Sequence, residues 1–257
     1  YSFAFDMDNY GSEFTGPIHY NFSANVGNLF KLGDQFSLRV IQSDFTQSLV
    51  APSFSYPINN FGTMLKLSYS HSKQSLGKEL VALYAEGNSD SFTSELSHPL
   101  YRSRLGQLTL KGGYSIRESR NFQLGEPSSR DNLRAFHISL GGNYTDRYQG
   151  RTFAELKFNQ GISDSNENRP LTSRRRAKGN IFRAEFNFTR FQSTGFAGSY
   201  FIIRGNGQIS SARALSSNLF SVGGFGTVRG FPISEHSGSN GYNGGIEYVI
   251  PFPSNID

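Results

Sequence analysis

The sequence predicts an all-β fold, an antiparallel barrel wall suited to a membrane, and three observations carry that prediction. Apolar and polar residues alternate with period two through most of the chain. Tight and long polar connections alternate between those segments. The charged residues of the segments fall opposite the apolar stripes. Period-two patterning gives a pleated sheet one apolar and one polar face, and tight turns at one end with longer loops at the other are the habit of membrane barrels.

A soluble sandwich or barrel shows the same alternation with its apolar face turned inward. What favours the membrane is the placement of Arg39, Lys66, Lys111, Glu155, Lys157, Arg183, Glu185 and Glu247 opposite stripes rich in Phe, Tyr, Leu, Ile and Ala. With the stripes against lipid, these eight residues are candidates to line a wet or plugged lumen. No apolar run is long enough for a membrane helix, which leaves strands as the only means of crossing.

Composition agrees. Among 257 residues there are 28 Gly, 24 Phe and 13 Tyr but no Trp, with a mean hydropathy of −0.44. So aromatic a chain is not disordered. The absence of cysteine removes disulfides, thiolate catalysis and cysteine-based metal sites. A net charge of +5 is modest, and its one dense run, Arg174-Arg175-Arg176-Ala177-Lys178, sits in no nucleic-acid motif and reads as a polar loop rim. No nucleic-acid partner is expected.

In order, Tyr1 to Asp8 predicts a first strand, followed by a polar turn through Pro17. Tyr20, Phe22, Ala24 and Val26 share a face in the second, and Phe36, Leu38 and Val40 in the third. After a break at Asp44-Phe45-Thr46-Gln47, strands follow at Ser48 to Tyr56 and around Leu65, Leu67 and Tyr69. Leu80 to Ala85 is either an extra strand or part of an elaborated loop. Phe92, Leu96 and Leu100 restore the pattern, Tyr101 to Gly106 is a turn, and Leu108 to Ile116 forms the next strand.

Glu118 to Asn132 reads as a long polar connection. Phe136 to Tyr144 and Ala154 to Phe158 flank the Asp146-Arg147 turn, and Asn159 to Gly179 reads as another long loop. Phe182 to Phe188 alternates cleanly, and a short turn leads to a stripe of Phe196, Gly198, Tyr200 and Ile202. Ile246, Tyr248 and Ile250 mark the last strand, for about twelve in all. Both ends look cut, so the chain is expected to be a fragment of a longer precursor.

Before that last strand lies Gly223-Gly224-Phe225-Gly226-Thr227-Val228-Arg229-Gly230-Phe231. Its glycines let the backbone turn tightly, and Arg229 offers a planar fork that a carboxylate can receive. His19, His71, His98, His137 and His236 are scattered, with no nucleophile motif, metal-ligand signature or phosphate loop around them. No enzyme activity, metal or cofactor is expected.

The nine-residue stretch resembles the loop signature of the outer-membrane barrel assembly and polypeptide-translocation superfamily, especially its two-partner secretion transporters. The resemblance extends to Gly244-Gly245-Ile246-Glu247-Tyr248, to the first strand and loop at Asp8 to Gly16, and to Leu96 to Arg104. It implies a barrel of sixteen antiparallel strands, of which this chain supplies about the first twelve, without the preceding periplasmic domains or the final strands. It implies a lumenal loop over about 218–240. Arg229 would contact an acidic motif on a later strand beyond Asp257, Gly223, Gly224 and Gly230 would permit the loop's path, and Val228 and Phe231 would pack about its tip.

The implied activity is export of a partner exoprotein, of haemolysin, adhesin, toxin or haem-carrier type, across the outer membrane of a Gram-negative cell. The barrel would be monomeric and surrounded by outer-membrane lipid and lipopolysaccharide. Two other readings stay open: a factor that assembles other barrels, and a passive porin.

Overall fold

The computed structural model describes residues 1–9, 11, 14–43, 47–163, 171–196 and 198–251. The break at Asp44-Phe45-Thr46, parts of the first loop and of the Asn159 to Gly179 loop, and the end from Phe252 lie outside them. Twelve strands form one antiparallel sheet in which each pairs with the next in sequence. They are β1 (Ser2–Asp8), β2 (His19–Gly27), β3 (Gln35–Ser43), β4 (Ser48–Pro57), β5 (Met64–Ser75), β6 (Glu86–Arg102), β7 (Gly106–Gln123), β8 (Glu126–Thr145), β9 (Gly150–Gly161), β10 (Phe182–Ser193), β11 (Tyr200–Ser210) and β14 (Gly241–Val249). A two-stranded hairpin, β12 (Phe220–Val222) and β13 (His236–Gly238), lies between the last two. β1 and β14 are the edges, each paired on one side.

The register gathers most apolar side chains on one face and most polar ones on the other, with Phe153, Phe191, Tyr200 and Ile202 as apolar members of the polar face. One row of partners runs Phe5, Phe22, Val40, Val50, and another Leu110, Leu140, Leu156, Phe186. The opposite face carries rows such as Lys111, Ser139, Lys157, Glu185, Gln208. A slip of one residue would exchange the faces, so the alternation in sequence is what fixes the pairing.

Burial is inverted relative to a soluble protein. Phe3, Phe5, Ile138, Leu140 and Ile246 stand exposed on the apolar face, while His137, Ser139, Asn159 and Gln208 are buried on the polar one. An exposed apolar surface of this extent marks contact with something other than water. Tyr56, Tyr101, Tyr144 and Tyr248 lie on that face near the tight turns, as a membrane barrel's interfacial girdle does.

Three expectations are corrected. The stretch from Glu118 to Asn132 is not a connection but paired strand, with Glu118 opposite Asn132 and Gln123 opposite Glu126. Its turn is only Leu124-Gly125, both at positive φ (53° and 80°), the backbone a two-residue hairpin requires. Phe196 and Gly198 belong to the turn before β11, and Tyr200 and Ile202 lie on the strand's polar face, Ile202 buried opposite Glu247; the apolar face of β11 is Phe201, Ile203 and Gly205. Tyr101 and Arg102 still belong to β6, so the turn expected from Tyr101 is only Ser103–Leu105. The ambiguous segment before Glu86 resolves as a loop holding a 3-10 helix at Lys78–Leu83.

β7 and β8, of 18 and 20 residues, outrun the roughly 9–11 residues a tilted strand needs to cross a bilayer. Their surplus lies at the long-loop end and supports loops there. Arg130 N–H donates to Leu171 O (2.7 Å), Lys178 N–H to Arg213 O (3.0 Å), and Lys178 bridges Ala214. Leu133, Ala177 and Leu215 close a small core beneath these contacts.

Candidate functional site

All eight charged residues singled out in sequence share the polar face. Lys111 Nζ lies 3.3 Å from Glu155 Oε1, which also accepts from Ser139 Oγ (3.1 Å). Glu185 Oε1 accepts from Asn159 Nδ2 (3.1 Å) and stands 2.7 Å from Arg183 Nε, an ion pair by distance but not aligned as a hydrogen bond. Arg39, Lys66 and Lys157 project from this face without an ion pair among the described residues, Lys66 opposite Glu95 in the register. Opposite charges on neighbouring strands attract across the ladder, so most of this face is internally neutralised.

The glycine-rich stretch forms the tip of the β12–β13 hairpin, and its conformation needs glycine. Gly223, Gly224 and Gly230 have φ of 115°, 94° and 88°, a region L-residues rarely adopt. A Cβ on Gly223 would also meet Pro232 O at 2.3 Å. The turn is closed by Gly224 N–H to Phe231 O (3.0 Å) and Gly223 N–H to Thr227 Oγ1 (2.8 Å).

The hairpin doubles back along the polar face. Its base lies beside the start of β14, where Phe220 sits over Gly241. Its tip reaches Glu247, with Arg229 Nη2 3.0 Å from Glu247 Oε1. Six residues of strand separate Gly241 from Glu247, a descent of about 20 Å. Arg204 Nη1 holds the same carboxylate oxygen at 2.7 Å, and the Arg229 guanidinium also lies 5.1 Å from the Phe225 ring centre, a cation–π geometry.

Arg229 thus pairs with a carboxylate on β14, a contact separate from the acidic motif that the resemblance places beyond Asp257. Val228 and Phe231 are 40% and 56% exposed, so the tip is organised by glycine backbone and Arg229, not by packing of these two side chains.

The base of the hairpin is tied down by residues that sequence did not single out. Gln208 Nε2 donates to Asn218 O and Ser239 O (both 2.9 Å), Arg183 Nη1 to Asn218 O (3.4 Å), and Arg117 Nη1 to Ser217 O (3.3 Å). Arg174 Nη1 bonds Ala214 O at 2.9 Å. Contacts from β7, β10 and β11 converge on residues 217–218, so the polar face curves around them. Arg117 and Gln208 are ordinary polar residues of an alternating strand, and only the loop's return reveals their use. His137, buried on this face, places Nε2 3.1 Å from Glu95 Oε2.

The comparisons agree with this architecture. The family model described as haemolysin secretion/activation protein ShlB/FhaC/HecB matches residues 1–243. The outer membrane transporter CdiB of Dickeya dadantii (strain 3937) is 27% identical over 255 residues, covering 91% of this chain and 43% of that protein. The solved structure of CdiB from Escherichia coli superposes with a TM-score of 0.78 at 21% identity, over 93% of this chain and 46% of the other. CdiB from Acinetobacter baumannii gives 0.71 at 20% identity, over 98% and 46%. The chain therefore spans a little under half the length of these relatives.

Proposed function

The chain belongs to the haemolysin secretion/activation protein family ShlB/FhaC/HecB, whose members reside in the Gram-negative outer membrane, and from that premise we propose that it is the larger part of a barrel that exports a partner exoprotein. The apolar face meets lipid and the polar face lines the export path. In the full protein further strands would join β1 to β14, since an open sheet edge in lipid leaves backbone groups unpaired. A sixteen-stranded monomer is the closure we propose.

The observation that carries this reading is the hairpin laid back on the polar face, with Arg229 on Glu247. A loop pinned along the wall fits an exporter, whose lumen stays occupied until a chain arrives. Arg39, Lys66, Lys111, Glu155, Lys157, Arg183, Glu185 and Glu247 offer the passing polypeptide weak, exchangeable contacts, and Gly223, Gly224, Val228, Arg229, Gly230 and Phe231 form the moving element.

Arg229→Ala in the full-length protein tests it. The ion pair is half exposed, so its loss is worth about 1 kcal/mol and partner export should fall roughly fivefold, with folded barrel in the outer membrane unchanged. Undiminished export at equal barrel abundance would count against the assigned role.

A further inference from the structure

We infer that the apolar face carries a seat for one anionic phospholipid at its tight-turn end, an acyl chain lying in a groove across β7 to β10 and the phosphate at arginines beneath it. This rests on reading the apolar face as the lipid-facing side of an outer-membrane barrel.

One cross-strand row on that face runs Leu108, Gly142, Ala154, Phe188. The row above it is uniformly large, Leu110, Leu140, Leu156, Phe186, and the row below runs Gly106, Tyr144, Thr152, Arg190. Two small residues between large neighbours leave a groove of about 510 Å³ with mainly apolar walls. Its floor cannot be filled at Gly142, where a Cβ would stand 2.1 Å from Gln107 O and 3.1 Å from Leu108 Cα. The close approach of β7 and β8 and the hollow therefore have one cause.

The polar end of the groove is also distinctive. Arg190 lies beside it through Thr152 of its lining, donating to Thr152 Oγ1 (2.7 Å) and Asp146 Oδ2 (2.6 Å), and is already neutralised by that aspartate. Arg104 and Arg147 are not. Their turns touch, Thr145 N–H donating to Leu105 O at 2.7 Å. Arg147 stacks on Tyr148 (4.8 Å) and bonds its hydroxyl, and neither arginine has an acidic partner among the described residues. Arg147 lies three residues past Tyr144, in the turn that follows β8, so its backbone is no more than about 10 Å from Tyr144, within reach of a headgroup whose chain occupies the groove. Guanidinium groups match phosphate oxygens in charge and geometry, so an apolar slot ending beneath two unneutralised arginines selects a glycerophospholipid with net negative charge.

The test uses the full-length protein folded into vesicles of equal parts phosphatidylglycerol and phosphatidylethanolamine, then released and weighed by native mass spectrometry. One phosphatidylglycerol should stay with each barrel. Ala154→Leu, which fills the floor, should lower retained lipid about fivefold, and Leu108→Trp, which closes the flank, should do the same should the first variant fold poorly. Arg104→Ser with Arg147→Ser should keep a lipid but lose the preference for phosphatidylglycerol. Unchanged retention in both groove variants overturns the seat, and an unchanged preference in the double variant overturns the headgroup contact. Glycerol phosphate, which has the anion without chains, should not compete, and displacement by it would make this a plain anion site. Heat-modifiable mobility of each sample separates these outcomes from a failure of the barrel reading itself, in which the unaltered protein would not insert.

Discussion

The two ends of the sheet are built on different principles. At the tight-turn end the strands stop together, and each connection is closed by its own residues: Ser103 Oγ accepts from Leu105 N–H and Gly106 N–H (both 3.2 Å), and Asp146 Oδ1 from Tyr148 N–H (2.9 Å) and Gly150 N–H (3.0 Å). At the other end β7 and β8 continue past the apolar band, polar on both sides, and are finished by contacts with distant segments, Leu171, Ala177 and Leu215 among them. One end is closed mainly by local bonds, with ties only to neighbouring strands and turns such as Thr145 N–H to Leu105 O and Arg190 to Asp146. The other is tertiary, and strand length there follows what the loops need for support.

That contrast can be broken in order of expected effect. Gly142→Val places methyl groups against the backbone of β7, where even a Cβ meets Gln107 O at 2.1 Å. Overpacking that backbone must move should cost several kcal/mol and lower the yield of folded barrel at least about tenfold, read by heat-modifiable mobility. Leu215→Ala empties the small core with Leu133 and Ala177. It should cost about 2–5 kcal/mol only locally, so amide exchange should quicken at Arg130 and Lys178 while β2 to β5 keep their protection; uniform loss would mean that the two ends are one cooperative unit.

The smallest effect is acid. Hydrogen bonds from Arg190 hold the Asp146 carboxyl below its ordinary range, and Arg120 with Arg130 does the same for Glu118 on the extended β7. A lowered folded value means stabilisation that is present above the ordinary carboxylate pKa and lost as pH falls through the folded value. Acidification below about pH 4 should therefore loosen the Asp146 turn and the β7–β8 extension. Asp146→Asn should show a smaller change over that range, measured by exchange at Gly150.

The apolar band was legible because lipid imposes on every strand the same demand, so Phe182, Ala184, Phe186 and Phe188 announce their face without knowledge of any neighbour. Glu118 to Asn132 was not legible as strand, since both of its faces are polar and period two carries no signal there. Phe196 misled for the opposite reason: an apolar residue in a turn extends a stripe by accident. The glycine tip was visible as a loop, yet its partner was not, because the meeting of Arg229 with Glu247 depends on a hairpin folding back about 20 Å, which nothing in the loop's own residues specifies. Arg117 and Gln208 were hidden in the same way.

Glu247 answers to two cations through one oxygen, Arg204 on the neighbouring strand and Arg229 on the hairpin. When Arg229 departs, the carboxylate is not stranded, for Arg204 remains within 2.7 Å. On the proposed reading of the hairpin as a moving element, the acid would serve as a standing berth for it, kept by Arg204 while Arg229, whose side chain is already about half in solvent, is away.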